Sequence, residues 1–199
     1  HKKRWNEWYR RASRLNHFNF TEMFFFTIEN TEKAFTENIR VLDYGGGGGQ
    51  FAYVFKSILP KADIFIADID DHALQEEYKL LNNQIKWSDF EDDTTTFNYI
   101  FLNDVFEHVN DPEKTLKTLL PKLANGGELF IDTPKQFWLY PFLKRINKSL
   151  YKKLLRGTVS TAHLQIWSKK SFLYVIDNAG FKVQKYTELS EFTQKPDFY

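Results

Sequence analysis

The 199-residue chain is close to charge balance, with 27 Lys and Arg against 26 Asp and Glu for a net +1, which gives no general pull toward nucleic acid. Hydrophobic residues make up 42% and charged residues 27%, as in soluble globular proteins, so one domain with an aromatic-rich core is expected from its 20 phenylalanines. No apolar run approaches the roughly 18 residues that span a bilayer and no signal peptide shows; the absence of cysteine excludes disulfides, thiolate metal sites and a cysteine nucleophile, and the cytoplasm is the default compartment. The chain opens on His1 without a Met, which points to a native N-terminus further upstream.

Taken in order, Lys2–Arg11 and Thr21–Ala34 read as two N-terminal helices, either a cap over a ligand edge or core helices. Strand and helix signals then alternate, the pattern of βαβ units around a parallel sheet. Ile39–Tyr44 is the first strand, and Phe51, Val54, Phe55 and Ile58 recur at helical spacing before Pro60. Asp63–Asp68 is the second strand, followed by a helix through Ala73, Leu74, Tyr78 and Leu81 that Asp70 or Asp71 can cap. Ile85–Asp89 is a short third strand and Asn98–Asn103 a fourth, nearly all apolar as befits a strand covered on both faces. Asp111-Pro112-Glu113 opens a helix that buries Leu116, Leu119, Leu120 and Leu123, bends at Pro121 and stops at Asn125-Gly126-Gly127. Glu128–Thr133 is the fifth strand, Ser168–Asn178 a helix ended by Gly180, and Phe181–Thr187 a sixth strand.

The first strand leads into five consecutive glycines, Gly45 to Gly49, which let backbone approach a ligand with no side chain between. Three acids fall at the ends of successive strands: Asp43, Asp68 and Asp89. Asp68 lies 23 residues after Gly45, near the roughly 20-residue offset at which an acid reaches ribose hydroxyls in dinucleotide folds. The bland alternative is that such acids only cap helices. Gly47-x-Gly49-x-x-Ala52 also fits the loose dinucleotide pattern, so the glycines alone do not choose between nucleotide ligands.

The run from the fourth strand onward carries a more specific signal. Val41-Leu42-Asp43-Tyr44-Gly45, Ala67-Asp68-Ile69-Asp70, Phe97-Asn98-Tyr99-Ile100 and Val105-Phe106-Glu107-His108-Val109 occur in order, with Asn125-Gly126-Gly127-Glu128-Leu129, His163–Ser168 and Asn178–Phe181 after them. Together these resemble class I S-adenosylmethionine-dependent methyltransferases, most of all the small-molecule branch typified by the ubiquinone-pathway O-methyltransferases. The resemblance spans residues 38–187. It implies a Rossmann-like α/β three-layer sandwich, a mostly parallel twisted sheet with helices on both faces and a last antiparallel strand cut short near Pro196–Tyr199.

It further implies S-adenosylmethionine as cofactor. Gly45, Gly47 and Gly49 would pass under its methionine portion, and Asp43 would order that loop or meet the ammonium. Asp68 would bind the ribose with Ile69 on the adenine, Asp89 would meet the adenine amino group with Phe90 beside it, and Asn103 would offer its carbonyl near the methionine end. Three departures stand out: Gly46 and Gly48 replace the usual Cys and Thr, Asn98 replaces an acid, and the sequence stops at Pro196–Tyr199 where the family's last antiparallel strand would begin, so that strand is cut short or the edge is finished differently. A hydroxyl acceptor would want a base, for which His108 and His163 are the candidates, each also readable as a structural imidazole. Asp104, Glu107 and His108 suggest a solvated helical turn in preference to a metal cluster, and no metal is expected.

Charge is unevenly spread. From Asp63 to Glu113 acids dominate, whereas Lys135, Lys144, Arg145, Lys148, Lys152, Lys153 and Arg156 occur with no acid among them and interleave with aromatic and aliphatic residues. That segment suits a substrate lid over an aromatic pocket, an acidic or carrier- or lipid-linked substrate, a peripheral membrane contact through 135–156, or an ordinary cationic face. The expected organisation is one methyltransferase domain over 1–199: a helical cap (1–37), a cofactor-binding core (38–134), the basic insertion (135–162) and a C-terminal helix with strands (163–199). A nicotinamide-dependent oxidoreductase and a non-catalytic S-adenosylmethionine binder are the rival readings.

Overall fold

The computed structural model describes residues 38–74, 83–133, 145 and 164–186. The two N-terminal helices, the helix beyond Leu74, the basic insertion apart from Arg145, His163 and the chain after Tyr186 lie outside these described residues.

Five strands form one parallel sheet: β1 (Arg40–Tyr44), β2 (Asp63–Ala67), β3 (Asn83–Ile85), β4 (Phe97–Asn103) and β5 (Leu123–Asp132), in the order β3-β2-β1-β4-β5. Helices α1 (Gln50–Ile58), α2 (Pro112–Leu119) and α3 (Lys169–Asn178) complete the described elements. Alternation along the strands sends Val41, Ile64, Ile66, Tyr99 and Phe101 to one face, against Phe51, Ala52 and Phe55 of α1. It sends Leu42, Ile100 and Leu102 to the other, against Leu116 and Leu119 of α2 and Ile176 of α3, and a register irregularity between Phe97 and Tyr99 brings Phe97 to that face too. The sheet therefore has helices on both faces, and β4 is buried and hydrophobic from Tyr99 to Leu102 because neither face meets water there. Phe101 anchors the α1 side, with ring centroids 4.7 Å from Phe55, 4.9 Å from Phe51 and 4.7 Å from Phe130.

The helix ends follow local chemistry. The Asp111 carboxylate accepts the Lys114 amide at 3.0 Å with Pro112 in the first turn, and Ser168 and Ser171 cap α3 reciprocally. Asn98, where the family pattern has an acid, accepts the Arg40 amide through Oδ1 at 2.9 Å. Only an acceptor oxygen is needed there, and the amide supplies one.

Three local expectations are corrected. Helix α2 ends at Leu119, because Pro121 has no amide for the α ladder; the chain tightens into a 3₁₀ turn over Leu120–Lys122, Leu120 is exposed, and Asn125–Gly127 fall within β5. The third strand is Asn83–Ile85, because the Trp87 amide donates to Asp71 Oδ1 at 2.9 Å and draws Trp87–Asp89 off the sheet into a 3₁₀ turn. Residues 181–186 form no strand. The Phe181 amide closes α3 on the Ile176 carbonyl at 3.2 Å, and Tyr186 folds back near Phe172 and under Lys169.

Candidate active site

The strands present their carboxyl ends to one edge, and the glycine loop bends there between β1 and α1. Gly45, Gly47 and Gly49 have φ of 75°, 51° and 87°, a left-handed series that side chains disfavour. At Gly45 a Cβ would also lie 2.5 Å from Val105 Cγ2. Gly46 is closed differently: a Cβ there would fall 2.6 Å from Asp43 Oδ2 and 2.9 Å from Ile66 Cγ2. The Asp43 carboxylate thus fills the space that a side chain at position 46 would take.

Asp43 is 2% exposed and its carboxylate accepts the Ala52 amide, capping the first turn of α1 in place of Gly49, which has no side chain to do so. Its Oδ2 finds no hydrogen-bond partner among the described residues. Burial first, then the Asp68 charge, raise its carboxyl to about 7. Capping and loop-ordering, set out above as alternatives, are here one role.

Asp68 clamps the loop from the neighbouring strand. Its Oδ2 accepts the Gly47 amide at 2.9 Å and Oδ1 accepts the Asp70 amide at 2.8 Å. Ile69 beside it is 78% exposed, an apolar surface left open at the ligand edge. Asp89 is exposed and accepts the Ser88 hydroxyl at 2.7 Å. Phe90, expected beside the adenine amino group, is 2% exposed. Trp87 stacks on it at 5.9 Å, Tyr44 lies at 5.3 Å, and the Lys122 ammonium sits 4.5 Å above the ring. It braces the turn carrying Asp89. Asn103 ends β4 half-buried, with Nδ2 buried and lacking a partner among the described residues.

Glu107 is corrected. It is fully buried, and burial, ahead of the Asp104 charge, raises its carboxyl to about 7. The Thr133 hydroxyl donates to Oε2 at 3.3 Å, and the Leu164 and Gln165 amides donate to the Glu107 carbonyl at 2.9 and 3.1 Å. His108 is exposed at the same turn, its Nε2 3.8 Å from Glu107 Oε1. Among the described residues no group of three or more His, Asp or Glu is arranged to hold a metal ion. Sequence reasoning also missed Asp132, the last residue of β5, whose carboxyl burial and the Asp104 charge raise to about 6. The strand-end rule that picked out Asp43 and Asp68 would have found it. Glu107, set between Phe106 and Val109, carried a weaker signal.

The arrangement is one a sulfonium nucleotide would fit: a bare, left-handed backbone floor, a carboxylate on the adjoining strand, and buried polar atoms at Asp43, Gln50 and Asn103 without partners among the described residues. Comparison with known proteins decides between the nucleotide readings. The profile of a family described as a methyltransferase domain matches residues 8–186. The chain belongs to that family.

This methyltransferase domain is 26% identical over 153 residues to the ubiquinone biosynthesis O-methyltransferase of Coxiella burnetii, covering 70% of this chain and 65% of the relative. It therefore spans just under two thirds of the length of the curated relative it matches. Among solved structures it is similar to the plantazolicin methyltransferase BpumL in complex with S-adenosylhomocysteine, with TM-score 0.63 and 18% identity over 90% of this chain and 69% of that one. It is also similar to human N-acetylserotonin methyltransferase in complex with S-adenosylmethionine, with TM-score 0.53 and 18% identity over 75% and 44% of the two chains. At these identities the likeness is one of fold. The family match sets aside the nicotinamide-dependent oxidoreductase.

Proposed function

We propose that the protein transfers a methyl group from S-adenosylmethionine to a small-molecule acceptor by in-line displacement, with oxygen the favoured acceptor atom. The observation that carries this reading is the glycine loop held from two strands, by Asp68 on the Gly47 amide and by Asp43 beneath Gly46, in a chain of the methyltransferase family. When bound, S-adenosylmethionine supplies an electrophilic methyl on a cationic sulfur. Gly45, Gly47 and Gly49 would carry its methionine part, with Asp43 supporting the loop and Asn103 beside it. Asp68 would take the ribose hydroxyls, Ile69 would cover the adenine and Asp89 would face its amino group. Alignment of acceptor and methyl supplies most of the acceleration in such a reaction, about 7–11 kcal/mol when orientation is good. His108 and His163 are the histidine candidates for removing an acceptor proton.

The basic stretch 135–156 supports an acidic or carrier- or lipid-linked acceptor, or a peripheral membrane contact, over nucleic acid. Among the described residues no helix is long and apolar enough to cross a membrane. Removing the charges of Lys144, Arg145, Lys148, Lys152 and Lys153 should change acceptor handling and leave donor binding intact.

Calorimetric titration with S-adenosylmethionine, S-adenosylhomocysteine and NAD, followed by mass spectrometry of products from a panel of phenols, alcohols and carboxylates, tests the reading. Donor binding with a methylated product supports it. Binding of NAD alone overturns it, and donor binding with no product across the panel reduces the protein to a non-catalytic binder.

A further inference from the structure

We propose that Asp132 stands where the acceptor meets the methyl group and that its carboxylate takes the proton a hydroxyl acceptor gives up. This rests on the methyl-donor reading above. Strand order supplies the direction. Asp89 follows β3, Asp68 and Ile69 follow β2, and the glycine loop follows β1, so the adenosine half belongs over one side of the edge. The reactive end then points toward β4 and β5, the two described strands that remain.

Register supplies the residue. Phe101 and Phe130 are paired across β4 and β5 and stack at 4.7 Å on the face that α1 covers. Two residues on, the next rung on that same face is Asn103 paired with Asp132, the last of both strands. Asp43 shares the face and is in register with Phe101, one rung below. The aromatic packing thus ends in a polar row at the ligand edge, and in that row the Asn103 Nδ2 is a buried donor without a partner among the described residues.

The surroundings suit a base. The Thr133 amide, just past β5, donates to the Asp132 carboxylate, and Asp104, exposed just past β4 with φ 51°, is the charged neighbour that bears on it. Glu107 joins the network through the Thr133 hydroxyl, and Asp43 stands further along the row. Burial and the Asp104 charge hold the Asp132 carboxyl near 6, so it is ionised at neutral pH yet keeps a proton better than an ordinary aspartate. Glu107 carries a comparable shift but is fully buried, which keeps it from an acceptor. In the step, the acceptor oxygen gains the methyl carbon, the carbon–sulfur bond breaks with its electron pair left on sulfur, and the hydroxyl proton passes to an Asp132 Oδ and then to water.

The first test needs no acceptor. S-adenosylmethionine and S-adenosylhomocysteine differ at the sulfur, cationic in one and neutral in the other, so the ratio of their dissociation constants reads charge beside that atom. In the unaltered protein the preference for the cationic ligand should rise about tenfold between pH 5 and 7.5, as the Asp132 carboxylate ionises. In Asp132→Asn the component near pH 6 should disappear, leaving the part due to Asp43. A ratio in Asp132→Asn that follows the unaltered protein at every pH overturns the placement of Asp132. If the unaltered protein binds neither ligand, the methyl-donor reading itself falls.

The substitution removes a charge that burial penalises, so folding should survive, as thermal melting will show; Asp132→Ser gives the same readout should the amide fail to fold. The proton role is read on the first hydroxyl acceptor that the unaltered protein methylates in the panel above. There Asp132→Asn should lower kcat about a hundredfold with KM within about threefold, and an unchanged kcat overturns that role.

Discussion

Asp68 accepts the Gly47 amide through Oδ2 at 2.9 Å, so the end of β2 holds the loop that follows β1. The same carboxylate accepts the Asp70 amide through its other oxygen. One side chain therefore shapes the floor and the adjoining turn, and it is the group proposed to receive the ribose. Asp68→Ala should weaken binding of S-adenosylmethionine by at least about tenfold, since charge-assisted hydrogen bonds are lost together with loop order. Calorimetric titration reads the result, and unchanged affinity rules out the ribose role.

Gly46 and Asp43 compete for one space. Gly46→Ala would put a methyl 2.6 Å from Asp43 Oδ2, and the carboxylate or Ile66 must give way. The expected cost is about 1–3 kcal/mol in urea unfolding. Combining it with Asp43→Ala frees that space, so the double variant should lose clearly less than the two single losses added together. Additive losses would show that the contact is not the cause.

Among the described residues three carboxyls are raised, Asp43 and Glu107 to about 7 and Asp132 to about 6, each chiefly by burial. A carboxyl with a raised folded pKa binds protons more tightly folded than unfolded. Its effect on stability is most favourable below the unfolded pKa and is lost as pH rises to the folded value. These groups should therefore lower the melting temperature between about pH 4.5 and 7, with little further loss above that. Glu107→Gln removes one of them and still offers Thr133 an acceptor oxygen. It should gain about 1–3 kcal/mol at pH 8 and gain almost nothing at pH 4.5. Thermal melts of both proteins at the two pH values check the sign.

Lys122 is a buried cation with two partners. Its ammonium donates to the Asp93 carbonyl at 2.7 Å and lies 4.5 Å above the Phe90 ring. Lys122→Met keeps the apolar stem and removes both interactions, so stability should fall by about 1–3 kcal/mol. Hydrogen exchange should quicken at the Asp93 and Thr95 amides. Their protection at the unaltered level would mean that the loop is held by other contacts.

The alternating elements and the glycine loop were legible because burial on both faces and a backbone turn leave strong marks on residue type. Asp43 and Asp68 stood out as acids closing successive apolar strands beside a glycine turn; either alone reads equally as a helix cap, and Asp43 does cap α1. What escaped was set by long-range partners. Trp87 leaves the sheet for the Asp71 side chain, a pairing of residues sixteen apart that no local period encodes. Glu107 looked solvated because charged residues usually are, and its burial depends on Thr133 and on a segment that returns much later. The Lys122 ammonium over the Phe90 ring, from a residue thirty-two further along the chain, likewise leaves no local mark.

The bonds from Thr133 and Leu164 to Glu107 bring the two ends of the stretch 134–163 to one residue. Changing the number of residues between those points adds only slowly to the entropy of closing the loop. An exchange of that stretch for one of another length and composition can then proceed without re-registering any of the described strands. On the proposed reading of the basic stretch, acceptor choice and donor chemistry would be separately inheritable parts, one free to diverge while the other is kept.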